Sequence, residues 1–209
     1  MRAMPVMQRY MMGLVAVILI IAQIQQPYPE IAPLQHIPTL LLLIASPWLL
    51  RRWPLSNGAL ASLVAFFLLH TLGGRYTYSN VPYDVWSEAV FGHSLSAQFG
   101  WTRNHYDRLV HLAFGLLWVQ PVCEWLVMYR AMSVRGGLVS AVAFVLAVSC
   151  LYEIFEWMLT IVAAGSLSEG YNGQQGDIWD AQKDMALAFL GALVGIIIYS
   201  RPEAEVSKE

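Results

Sequence analysis

Residues 137–163 read GLVSAVAFVLAVSCLYEIFEWMLTIVA, and only Glu153 and Glu156 interrupt the apolar run with charge. The run exceeds the ~20 residues that cross a hydrocarbon core. Its hydrophobicity is continuous rather than alternating. Only helices and closed barrels satisfy their backbone in lipid, so the segment is a helix. A carboxylate at mid-bilayer costs about 2.5–3.5 kcal/mol on the most lenient scale. Residues three apart share a helix face, so both carboxylates point to one partner. This stretch predicts an all-α membrane bundle with a polar site at one end.

The rest of the chain agrees. It is 57% hydrophobic and 12% charged, against about 25% charged in a soluble domain. Five more apolar segments, at 8–25, 33–50, 58–74, 107–129 and 181–200, approach membrane length. The weakest is 33–50, because Pro33, Pro38 and Pro47 lie in it or at its ends. Residues 1–209 read as one integral membrane domain embedded in a lipid bilayer. The net charge of −2 offers no basic surface for nucleic acid. Cys123 and Cys150 lie in apolar runs without metal or redox spacing. Arg2 and Arg9 ahead of residues 11–24 resemble a signal peptide, but no clear small-x-small cleavage site follows, so a retained first helix is expected.

Sidedness follows from basic residues. Arg2 and Arg9, Arg51 and Arg52, Arg130 and Arg135, and Arg201 with Lys208 all fall on one side if every segment crosses. That side is expected to be cytoplasmic, with both termini on it. Arg75, Arg103 and Arg108 are the exceptions. The opposite loop, 75–106, is long enough to carry structure. Asp84 to Phe91 has the spacing of a short interfacial helix. Residues 165–180 read as a glycine-rich turn leading into the last span.

With that topology the polar residues converge at the outer end. His70 closes the third span, Asp107 and His111 open the fourth at helical spacing, and Glu153 and Glu156 lie in the fifth. Asp177, Asp180 and Asp184 form a stripe at the start of the sixth. Mixed carboxylate and imidazole ligands suit a divalent metal. Asp107, His111 and Asp184, with His70 and Asp177, are the candidate ligands. Glu153, Glu156 and Asp180 are the candidate acid–base groups. Arg75, Arg103 and Arg108 flank the same mouth and suit the anionic group of a lipid or lipid-linked substrate. The function expected is metal-dependent chemistry on, or binding of, an envelope lipid.

Two other readings compete. A polar network could merely lock the bundle. A small proton- or ion-coupled carrier would need polar residues continuing to the inner end, where Glu124 and a few hydroxyls stand. Glu124 is expected to pair with Arg130 or reach water. His36 and His93 read as loop or interface residues. Gly191 and Gly195 read as helix packing within the bundle, and Gly73–Gly74 as a helix stop or close approach. The oligomeric state is not legible.

The runs HTLGGRYTY, FGWTRNHYDRLVH, YEIFEW and NGQQGDIWDAQKDM resemble the YjdF family of bacterial inner membrane proteins across roughly residues 65–195. The resemblance implies a multi-span inner membrane protein and no particular activity. The order of Asp107, Arg108, His111, a glutamate, Asp180, Asp184 and Gly191 is more distantly similar to VanZ-like envelope proteins.

Overall fold

The computed structural model describes residues 4–162 and 165–200. In chain order the helices are α1 (Val6–Gln23), α2 (Ala32–Arg52), α3 (Asn57–Arg75), α4 (Tyr83–Phe91), α5 (Leu95–Phe99), α6 (Tyr106–Arg130), α7 (Val134–Val162), α8 (Gly165–Asn172) and α9 (Asp180–Tyr199). Six of them, α1, α2, α3, α6, α7 and α9, are long and apolar enough to cross a membrane. These coincide with the expected spans, and no strand occurs among the described residues. The interfacial helix is α4. The short α5, and α8 within the stretch read as a turn, are additions that the sequence reading lacked.

α2 runs unbroken through Pro38 and Pro47. Proline is tolerated in membrane helices where neighbours satisfy the freed backbone groups. Here Ser46 Oγ donates at 2.8 Å to Leu43 O, the carbonyl that Pro47 leaves without its helical donor.

α6 is the hub. It packs against α3, α7 and α9, while α3 carries α1 and α2 on its other side. One apolar core joins α6, α7 and α9 around Val119, Val145, Ala188 and Ala192. A second joins α1, α2 and α3 around Val15, Leu50, Leu60 and Val64. The α6–α9 seam is the tightest, because glycines let backbones meet. A Cβ on Gly115 would strike the Ala188 carbonyl, and one on Gly191 would strike the Leu112 carbonyl. The small-residue pattern in α9 thus serves packing inside the bundle.

Contacts at the opposite end correct one expectation. Glu124 does not reach Arg130. It accepts from the Ser56 backbone N–H and, at 2.6 Å, from Ser56 Oγ, bracketing the residue that caps α3. Arg130 lies instead 4.9 Å from the Trp125 ring centroid.

Candidate functional site

The α6–α9 seam sets the site. One turn outward from Gly115 is His111, and one turn outward from Ala188 is Asp184. Because Gly115 meets Ala188 backbone to backbone, His111 and Asp184 are brought together above that contact. Asp107 stands one turn further out on α6. Asp107, His111 and Asp184 each offer a ligand atom, all lying within 4.8 Å of one another. α7 adds Glu153, whose Oε1 is 3.7 Å from His111 Nε2, the same distance that separates Nε2 from Asp107 Oδ1.

That spacing is too long for a hydrogen bond. Two ligands held ~2.1 Å from one ion stand about 3.0–3.4 Å apart, a few tenths closer than here. The burial is deep: Asp184 is 2% exposed and Glu153 is 9% exposed. Asp184 Oδ1 and Glu153 Oε1 are buried with no hydrogen-bond partner among the described residues. Buried carboxylates normally pair or bind metal. Mixed carboxylate and imidazole donors with two orphaned oxygens therefore fit a divalent cation.

The remaining acidic residues are used differently. Arg103 Nη1 bonds Asp180 Oδ1 at 2.5 Å, and Arg108 Nη2 bonds Asp177 Oδ2 at 2.6 Å and Asp180 Oδ1 at 3.2 Å. Lys183 Nζ adds a 2.7 Å contact to Asp177, whose Oδ1 also accepts from the Trp179 N–H at 3.0 Å. Asp177 and Asp180 thus stand in an ionic lock rather than among the ligand atoms, because two guanidiniums already neutralise them. Arg103 and Arg108 are held by the same lock. It anchors the start of α9 to α6 and positions Asp184.

The Lys183 bond, then the Trp179 N–H, hold the Asp177 carboxyl below the usual carboxylate range. A group depressed on folding stabilises fully above its unfolded pKa of about 3.9 and loses that contribution as pH falls through its lower folded value. Thermal unfolding should therefore show an acid-limb loss below about pH 4 that is diminished in Asp177→Asn. Identical acid limbs would remove Asp177 from the lock.

Arg75 does not face the mouth. Its guanidinium donates to the carbonyls of Ala22 at 2.8 Å and Ile24 at 2.9 Å, satisfying the exposed carbonyl end of α1. Those carbonyls have no partner within their own helix, which is why the cation is drawn there. Arg75→Ala should cost about 1.5–3 kcal/mol, as for hydrogen bonds to a charged group, and leave metal content unchanged. A metal loss equal to that of a ligand variant would return Arg75 to the site.

His70 is buried beside the ligands rather than among them. Its Nε2 faces the Gln35 carbonyl, so that nitrogen carries the proton and Nδ1 accepts from the Tyr78 hydroxyl. Burial pushes the Tyr78 hydroxyl up, with Asp107 adding to the effect, so it remains a donor. Tyr78 folds back onto α3 through Thr77 and Tyr78, with φ of 51° and 54°. Gly73 leaves room for its ring, 2.6 Å from where a Cβ would stand. Gly74 does the same for His36, which is buried and bonds Thr71 O at 3.0 Å and Gln23 Nε2 at 2.6 Å. The glycine pair is a close approach, and His36 is no loop residue. Tyr78, Tyr152 and His70 join Asp107 and His111 around a cleft of about 260 Å³. Glu156 lies one turn beyond Tyr152, to which it hydrogen-bonds. Tyr78 and Tyr152 were missed; the only signal for Tyr78 was its place in the run HTLGGRYTY.

Six membrane-length helices with a buried acidic and histidine cluster at one end define a polytopic α-helical membrane protein. The family described as "Predicted membrane protein (DUF2238)" matches residues 7–204, and the chain belongs to it. The chain is 36% identical over 177 residues to "Inner membrane protein YjdF" of Escherichia coli strain K12, covering 82% of this chain and 76% of the relative. It is therefore an inner membrane protein of that kind. No solved structure matches.

Proposed function

We propose that the protein holds a divalent metal at Asp107, His111, Asp184 and Glu153, and uses it on the headgroup of an envelope lipid. The mutual approach of the three ligand atoms within 4.8 Å carries this reading. The charge balance supports it. Arg103, Arg108 and Lys183 are engaged with Asp177 and Asp180, which leaves the ligand carboxylates with no lysine or arginine in direct ion-pair contact among the described residues. A bound metal would supply Lewis-acid stabilisation of a phosphoryl or carbonyl oxygen. In this reading Glu153 serves as a ligand, and Glu156, one turn beyond the cleft residue Tyr152, accepts a proton from water or headgroup. On the same reading the Tyr78 hydroxyl, whose proton is given to His70 Nδ1, accepts a hydrogen bond from a headgroup donor in the cleft it lines. Arg103 and Arg108 hold α9 in register. The polar end faces away from the termini and, in this reading, away from the cytoplasm.

Metal content of protein purified without chelator, measured by mass spectrometry beside Asp107→Asn and His111→Ala, tests the proposal. Near-stoichiometric metal in the wild type and its loss in both folded variants is expected. Wild-type protein that stays metal-free after reloading with zinc, manganese or magnesium would sink it.

A further inference from the structure

α2 and α7 flank the α3–α6 pair with little packing on each other, leaving a groove within the membrane-spanning region. Its polar end is the cleft beneath Asp107 and His111. An apolar cavity continues from Leu42 and Phe67 toward Trp53 and Leu55. Another runs from Phe144 toward Trp125. Trp118 borders all three. Along α6 the lining extends from His111 to Trp125, about 21 Å at the helical rise. That exceeds the ~15 Å of hydrocarbon in one leaflet.

The apolar walls carry an anomaly. Thr39 is 1% exposed and Ser149 is 2% exposed. Their hydroxyls, and the Trp118 indole nitrogen, have no hydrogen-bond partner among the described residues. Helical hydroxyls ordinarily bond back to the preceding turn, as Thr71 does to Phe67 O at 2.7 Å. For Thr39 the corresponding carbonyl, Gln35 O, is already taken by His70. Thr39 lies one turn below Gln35, and Ser149 one turn below Glu153. Both hydroxyls therefore sit about 6 Å beneath the polar site, on opposite walls. An isoprenoid chain offers no acceptor at that depth. An ester carbonyl does, and burying donors is costly unless they are bonded.

We propose that the α2–α7 groove binds an acyl-ester glycerolipid, with one chain along Phe67 and Trp118, its ester carbonyls on Thr39 and Ser149, and its headgroup at the Asp107–His111–Asp184 cluster. The headgroup placement rests on the metal reading above; the chain site does not.

The test uses the full chain in lipid nanodiscs with a phosphatidylglycerol bearing a diazirine on its acyl chain. Photolabel is expected on groove-lining peptides of α2, α6 and α7. Unlabelled phosphatidylglycerol should displace it and polyprenyl phosphate should not. Thr39→Val with Ser149→Ala should weaken labelling roughly tenfold through two lost hydrogen bonds, and Leu42→Trp should block it by filling the groove. Metal content should be unchanged in these variants. Equal labelling of the lipid-facing side of α9 at Ile197, or displacement by polyprenyl phosphate alone, would overturn the assignment. A metal-free wild type that still labels in the groove would sink the metal reading and keep this one, so the two fail separately.

Discussion

Asp184→Asn should abolish stoichiometric metal binding while leaving the bundle folded. The carboxylate comes from α9 and faces two α6 ligands, so its loss removes one of the four proposed donors. Even outer-shell partners of metal ligands contribute 10–100-fold in affinity, and a direct ligand should cost roughly a hundredfold or more on the same scale. Asparagine keeps the volume and removes a negative charge from among other carboxylates, so the metal-free variant should melt no lower than the metal-free wild type. Added metal distinguishes them. At a hundred times its dissociation constant a ligand stabilises the folded state by about 2.7 kcal/mol, a gain the wild type should show and the variant should lose. Equal metal-dependent shifts in both proteins would exclude Asp184 as a ligand.

The second large effect is steric. Gly115→Leu should prevent the bundle from closing, because the first side-chain carbon would overlap the Ala188 carbonyl and stand 2.7 Å from the Ala192 nitrogen. Both obstacles are backbone, so no rotamer relieves them. Overpacking a core usually costs 1–3 kcal/mol; here the seam must part, and a loss of about 3 kcal/mol or more is expected. The parting also separates His111 from Asp184, so folded survivors should lack metal. Gly13→Leu is the control. A Cβ there meets nothing within 4 Å, and leucine is the better helix former. Wild-type melting in Gly115→Leu would show that α6 and α9 do not approach this closely.

These effects mark what a one-dimensional pattern carries. Membrane length and helical spacing are local properties. They placed the spans, the shared face of Asp107 and His111, and the common depth of the polar residues. Depth is legible because each span has one direction and a fixed rise. Direction around each helix is not. Arg75 and Arg103 look alike in sequence, yet one turns to the α1 carbonyls and the other to Asp180. Glu124 found a capping serine from the preceding hairpin rather than the arginine on its own helix. Tyr78 was hidden because its path needs positive φ at Thr77 and Tyr78, two non-glycine residues. α8 was hidden by glycines that normally signal a turn. Gly115, which brings the ligands together, lacks a glycine neighbour at packing spacing within α6, so it drew no notice.

The ionic lock has a consequence for biogenesis. Chains are made from the N-terminus, so Arg103 and Arg108 are synthesised well before Asp177 and Asp180. Asp107, His111 and Glu153 likewise precede Asp184. Until the final helix is threaded, the nascent protein carries unmatched cations at its rim and unmatched acids in its interior. The arrival of α9 and its lead-in matches the cations and adds Asp184 to the interior acids. A chain stalled or clipped before residue 177 would hold most of its helices, but it would display at its rim unpaired arginines that the finished protein keeps neutralised.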